Sequence, residues 1–258
     1  MSSQSSGAIP TALPLELRQA ARRFGRRWAL RGVTLQVQPG EVVAVTGSNG
    51  SGKSTLLRAA ATAVTLTAGD GSVFGHDLRR RPGSVRPLIG LLGHAPGLYD
   101  DLTVAENLEF AARMLAISDP DSAISRALDR CGLTSHSGER VRTLSSGWQR
   151  RVALARLWMQ SPKLLLLDEP YNSFDDEGVA IVNSLIEETR ASGGAALVVT
   201  HTLVQVAAVL DRRVSLRTGV VEEEPLSQLP IRDASPPQGD TRQSTRRVAG
   251  GPGTLELK

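Results

Sequence analysis

The sequence predicts an α/β fold: a mostly parallel sheet core of the doubly wound kind, an antiparallel β edge, and an α-helical subdomain inserted between the two halves of the sheet. Three observations predict it. The apolar run EVVAVTG leads directly into a glycine-rich loop and a stretch of helical composition from Ser54 to Ala63. A second apolar run, LLLLDE from Leu164, begins a region in which strand-like and helix-like segments alternate, as they do when a chain builds a parallel sheet. Between these runs, over residues 95–160, the composition reads helical.

Residues 1–13 are rich in Ser, Ala and Pro and are expected to be flexible. From Leu15 the segment LELRQAARRF alternates and meets a turn at Gly25; VTLQV and a turn at Pro39–Gly40 then lead to EVVAVTG, giving strands. Thr103 reads as an N-cap before VAENLEFAARMLAI, and Asp119 or Asp121 as one before SAISRALDRCGL. Residues 145–160 continue as a helix. LLLLDE, GVAIVNSLIEETRASG, AALVVTH and a helix from Leu203 to Leu210 complete a domain spanning 14–224. The segment 225–258 combines Pro, Gly and polar residues with no apolar period, and reads as a disordered tail.

At 258 residues the chain is long enough for a full core. Its one cysteine, Cys131, excludes a disulfide framework and a cysteine zinc site, and fits a reducing compartment. Aromatic residues make up only 3%, so the arginine clusters at Arg22–Arg23, Arg26–Arg27 and Arg79–Arg81 read as solvated surface and no nucleic-acid partner is expected. The N-terminus lacks the pattern of a secretory signal, and no run approaches the ~18 apolar residues of a membrane span, so the chain is expected to be soluble by itself.

Residues Gly47–Thr55 read GSNGSGKST and match G-x-x-x-x-G-K-[ST], the phosphate-binding loop of P-loop NTPases. Gly47, Gly50 and Gly52 let the backbone approach phosphates closely. Ser48, Asn49, Ser51 and Thr55 complete the loop. Lys53 reaches the β- and γ-phosphates, and the Ser54 hydroxyl ligates Mg²⁺. Asp168, at the end of the LLLLDE strand, is the matching Mg²⁺ carboxylate, and Glu169 is placed to orient or deprotonate the attacking water. ATP and Mg²⁺ are therefore the expected ligands.

The third motif, LSSGWQRR from Leu144 to Arg151, lies just before the carboxylate strand and resembles the signature of ATP-binding-cassette (ABC) proteins. The resemblance runs from about residue 15 to 222 and implies an ABC nucleotide-binding domain. It implies that Ser145 and Gly147 contact the γ-phosphate held by a second cassette, as in a homodimer. It also implies that Phe24 stacks on adenine, that His201 senses the γ-phosphate, and that Asp175 in NSFD lies on the loop between paired subunits. Ser146 and Trp148 depart from the usual Leu-Ser-Gly-Gly-Gln. Trp148 either stacks or packs at the dimer seam, or fills a hydrophobic notch. His94 stands where the family usually has glutamine; a neutral imidazole there ligates Mg²⁺ or hydrogen-bonds the attacking water, and its charge depends on pH. His76 and His136 lie in loop-like segments with no partner motif and read as surface residues.

Within the class, LGHAPGLYDDLTVAENL and QRRVALARLWM look like the ATP-binding subunit of the haem exporter of cytochrome c maturation. That resemblance implies ATP hydrolysis coupled to transport, polytopic membrane subunits as partners, and a peripheral position on the cytoplasmic face of the cell membrane. An ABC exporter of a drug, lipid or peptide is the strongest rival reading, and a soluble ATP-binding regulatory subunit is another. An ABC ATPase acting on DNA would carry a long coiled coil between its nucleotide motifs, and a translation-type factor two cassettes; neither fits.

Overall fold

The computed structural model describes residues 12–224. The tail read at 225–258, and all of the N-terminal segment 1–13 except residues 12 and 13, lie outside the described residues. Strands β1 (Leu15–Phe24), β2 (Arg27–Val37), β4 (Ala68–Val73) and β5 (His76–Asp77) form a four-stranded antiparallel sheet in the order β2-β1-β4-β5. The β1–β2 hairpin closes at Gly25, and its register runs from Leu15 opposite Val37 to Phe24 opposite Arg27. The second strand thus extends six residues N-terminal of the VTLQV expected, because β1 offers it a partner along its whole length.

The larger sheet has six strands in the order β10-β9-β3-β8-β7-β6. These are β3 (Val42–Thr46), β6 (Ile89–Leu92), β7 (Leu164–Asp168), β8 (Ala195–Val199), β9 (Arg212–Arg217) and β10 (Val220–Glu224). All pairings are parallel except β9–β10. Every residue of β7 and β8 is buried, which is why both read as unbroken apolar runs rather than alternating ones. Their side chains still point alternately to the two faces. Leu165 and Leu167 enter a core shared with the helices, while Leu164 and Leu166 enter a core shared with the antiparallel sheet.

Helix α1 (Lys53–Ala60) follows β3 and is shorter than the Ser54–Ala63 expected. Thr62 adopts a left-handed φ of 57° two residues beyond its end, which stops the helix. A short helix, α2, covers Pro82–Val85. The inserted helices are α3 (Val104–Met114), α4 (Pro120–Arg130) and α5 (Ser146–Gln160). Thr103 caps α3 in a reciprocal capping box with Glu106, and Asp119, rather than Asp121, caps α4. Each such cap contributes about 1 kcal/mol of helix stability. Helix α6 (Asp176–Ala191) precedes β8.

The helix expected from Leu203 to Leu210 covers only Leu203–Val206, named α7. Its β-branched valines are poor helix formers, and although Val206 and Val209 are buried the helix does not extend past Val206. Two histidines expected in loops stand in short elements, His76 in β5 and His136 in a single 3-10 turn. His76 pairs with Val73 in the β4–β5 ladder. His136 stacks on Trp148, with ring centroids 4.0 Å apart.

Candidate functional site

The C-terminal ends of β3 and β7, the loop after β8 and the end of β1 surround a cleft of about 670 Å³. Open parallel α/β sheets bind their ligands at this end of the strands. The glycine-rich loop forms its floor. Gly47 and Gly52 have φ of 139° and 113°. A Cβ on Gly47 would stand 2.3 Å from the Leu216 carbonyl oxygen, and one on Gly52 would stand 2.4 Å from that of Ala29. Only glycine satisfies both the backbone conformation and the space. Gly52 also occupies the N-cap of α1, which has no side-chain cap and no acid in its first turn, so its amide dipoles favour an anion.

The Lys53 ammonium donates to the carbonyls of Gly47 (2.7 Å) and Ser48 (3.0 Å), which holds the side chain along the loop. Asn49, Gly50, Ser54 and Thr55 line the cleft with Lys53. The Ser51 amide donates to the Ser48 carbonyl at 3.2 Å; its side chain is buried with a hydroxyl that finds no protein partner.

Asp168 and Glu169 face the loop from the end of β7 and line the same cleft. Glu169 has a left-handed φ of 49°, a strained conformation for this residue type. Its amide donates to the Val199 carbonyl at 2.8 Å, and its carboxylate Oε2 accepts from the His201 amide at 3.3 Å. The His201 Nε2 lies 3.2 Å from Glu169 Oε1, close enough for charge contact but outside hydrogen-bond alignment. That oxygen therefore remains an unpaired acceptor beside the cleft. His94 also lines the cleft, from the loop between β6 and α3.

Phe24 stands at the rim, 47% exposed, with the Arg22 guanidinium 4.4 Å from its ring centroid. Neither Ser145 nor Gly147 lines the cleft. They begin α5, where the Ser145 hydroxyl accepts from the Trp148 amide at 3.5 Å. A Cβ on Gly147 would lie 2.8 Å from the Ser173 carbonyl oxygen, whereas Ser146 is exposed. Trp148 is half-buried between His136 and the Arg151 guanidinium, 4.9 Å from its ring, and packs against the helical core within its own chain. Asp175 caps α6 through the Gly178 amide (2.8 Å) and meets Arg151 at 3.2 Å.

Sequence reasoning missed Arg27, Ala29 and Asn172, which also line the cleft, and Arg150, which donates to the carbonyls of Asp168 and Glu169. Arg27 and Asn172 each lie three residues beyond a residue that was picked out, and that proximity was the available signal. Burial pushes the Cys131 thiol up to about 12, against the opposing pull of Arg151 and Arg130, which leaves it no nucleophilic role.

Comparison with known proteins agrees with this geometry. Residues 30–172 match the ABC transporter family. The chain belongs to that family. It is an ATP-binding-cassette ATPase. The cassette is 39% identical to a cytochrome c biogenesis ATP-binding export protein, CcmA 2, of Cupriavidus metallidurans, over 76% of this chain and 94% of that one. It is 40% identical to a CcmA of the same description from Xanthomonas campestris pv. campestris, over 70% of this chain and 83% of that one. Among solved structures, the ATP-binding subunit of an ABC transporter superposes with a TM-score of 0.75 at 27% identity, covering 82% of the cassette and 90% of that chain. A dimeric ATP-binding cassette in a post-hydrolysis state, bound to ADP and Pi, gives 0.73 at 26% identity, covering 82% and 97%.

Proposed function

We propose that the cassette is the ATP-hydrolysing subunit of a haem exporter of cytochrome c maturation, peripheral on the cytoplasmic face of the cell membrane and paired with a second copy of itself. The relatives named for cytochrome c biogenesis export support this reading, because they match along almost the whole cassette. Among the described residues no helix is long and apolar enough to cross a membrane, so transport requires separate membrane subunits. An apolar groove of about 420 Å³ beside the loop after His94 suits their docking. Tyr99, Phe110, Met114 and Leu115 are exposed there, and the Tyr99 and Phe110 rings meet edge to face at 4.8 Å. Arg156 of α5 ties this loop down through the carbonyls of Pro96 (3.0 Å) and Gly97 (2.7 Å), so a partner seated in the groove would act on the segment carrying His94.

Phe24 stacks the adenine, and the amides of Gly47–Thr55 with Lys53 hold the phosphates. The donors offered to a metal are hard oxygens, the Ser54 hydroxyl and the Asp168 carboxylate. Among the described residues no cluster of three or more His, Cys, Asp or Glu could hold an ion alone. That set fits Mg²⁺, which takes one or two protein ligands together with phosphate oxygens. Held by Ser54 and Asp168, the ion would neutralise charge on the phosphate oxygens. The imidazole of His94 is better suited to a hydrogen bond with water or phosphate than to this ion. The Glu169 carboxylate accepts the proton of the attacking water, whose oxygen bonds to the γ-phosphorus as the bond to ADP breaks. His201 holds the Glu169 carboxylate from the other side. Ser145 and Gly147 of the second copy close over the nucleotide.

The decisive experiment is affinity capture of the tagged protein from detergent-solubilised native membranes, with mass spectrometry of the partner and a haem absorption spectrum. A polytopic partner carrying haem is expected. A haem-free exporter subunit would keep the ATPase and discard the cargo.

A further inference from the structure

The base proposed above, Glu169, is held by a residue outside the cleft. Arg150, in the second turn of α5, directs one guanidinium nitrogen, Nη2, at two successive carbonyl oxygens: Asp168 at 3.0 Å and Glu169 at 2.8 Å. The Asn172 amide also donates to the Glu169 carbonyl, at 3.3 Å. Charge-assisted bonds of this kind are roughly twice as strong as neutral ones, and the guanidinium is partly buried, with an Nε that has no protein acceptor. Burial draws the Arg150 pKa down and the neighbouring carboxylates of Asp168 and Glu169 oppose that, so the group keeps its charge beside them.

Glu169 needs such a hold. Its left-handed φ of 49° is unfavourable for a residue with a Cβ, and such a conformation persists only when the surroundings fix it. The Val199 carbonyl fixes its amide from β8, and the Arg150 guanidinium fixes its carbonyl from α5. Between these two anchors the side chain can leave the sheet in one direction. The anchor on α5 also begins in a telling place. Ser145 caps that helix, and five residues at 1.5 Å each put Arg150 about 7.5 Å along it. The core of α5 beyond it, Val152 to Ala155, is fully buried, which anchors the helix that carries Arg150.

We propose that Arg150 is a positioning residue, which sets the direction of the Glu169 carboxylate by holding its backbone from the helix that carries the signature. It lies outside the cleft lining and acts through Glu169. The inference rests on the reading of Glu169 as the base.

The test is a double-mutant cycle on the full-length protein, combining Arg150→Gln with Glu169→Gln, with kcat, KM and ATP affinity measured for each. Arg150→Gln is expected to lower kcat by about tenfold or more, as a misdirected base would, with KM and ATP affinity unchanged. Added to Glu169→Gln it should cost nothing further, because there is no base left to misdirect. Arg150→Lys, which can reach one carbonyl as a point charge, should recover part of the rate, and it guards against a Gln variant that fails to fold. Parental kcat in Arg150→Gln, a matching loss of ATP affinity, or full additivity in the double variant would each overturn the inference. Failure of the underlying reading looks different: Glu169→Gln alone would then turn over at the parental rate.

Discussion

The two glycine-containing loops that serve nucleotide in this family begin helices in opposite ways. Helix α1 opens at Gly52 with no side-chain cap, so its first amides stay available to an anion within the same chain. Helix α5 opens at Ser145, whose own hydroxyl takes up an amide, and its Gly147 is packed against the Ser173 carbonyl. The first loop is built to receive phosphate directly. The second is finished locally and presents a hydroxyl and a small residue outward, away from this chain's cleft. One half-site is complete in itself, and the other, on the reading proposed above, serves a second copy.

The sharpest way to separate the two halves is Glu169→Gln. Turnover should fall by at least about 10²-fold, the usual contribution of a positioned general base, while ATP binding on the α1 loop survives. The ATP-bound variant should accumulate as a dimer, seen by size-exclusion chromatography with light scattering. ATP-independent elution as a monomer would break the pairing half of the comparison and leave the α1 half standing.

How far the sequence discloses each half follows from the kind of interaction involved. The α1 loop was legible because its glycines and Lys53 answer to backbone geometry that few other residues satisfy. The buried strands β7 and β8 were legible as continuous apolar runs, and the α3 start as a Thr103–Glu106 box. The setting of the signature was not legible. His136 meets Trp148 twelve positions further along the chain, and Arg150 finds its acceptors in backbone carbonyls, which leave no mark on the sequence. The shortened α7 belongs with these: its segment has the apolar content of a helix, and Val206 and Val209 are buried, yet the helix stops after one turn.

A smaller effect is expected from glycine substitution in each loop. Gly52→Ala combines a positive φ with contact at 2.4 Å to backbone, and should cost about 1–3 kcal/mol from strain alone. Gly147→Ala meets backbone at 2.8 Å and φ is not positive there, so the cost should be lower. Thermal melts rank the two. Equal losses would mean that the signature is as tightly specified by its own chain as the phosphate loop is.

Trp148→Gln restores the amide common in the family and removes the stack on His136 and the contact with Arg151. We expect a loss of about 1 kcal/mol in stability, the usual worth of such aromatic contacts, with no fall in kcat. A fall in kcat at unchanged stability would assign the indole a part in the second half-site.

The smallest expected effect lies at the joint between the halves. The Gly178 amide first, and the Arg151 guanidinium next, hold the Asp175 carboxyl below its ordinary value of 3.8. A carboxyl depressed in the folded state adds stability that is present above its unfolded pKa and is lost as pH falls through the folded one. Asp175→Asn keeps a competent cap but gives up the charge facing Arg151. At neutral pH its melting temperature should drop only slightly. Below pH 3.8 the parent loses this contribution and the variant has none to lose, so the two melting curves should converge. A constant offset between them at every pH would mean that the variant's deficit comes from the cap geometry, and that the charge of Asp175 does nothing to join the signature helix to the loop after Glu169.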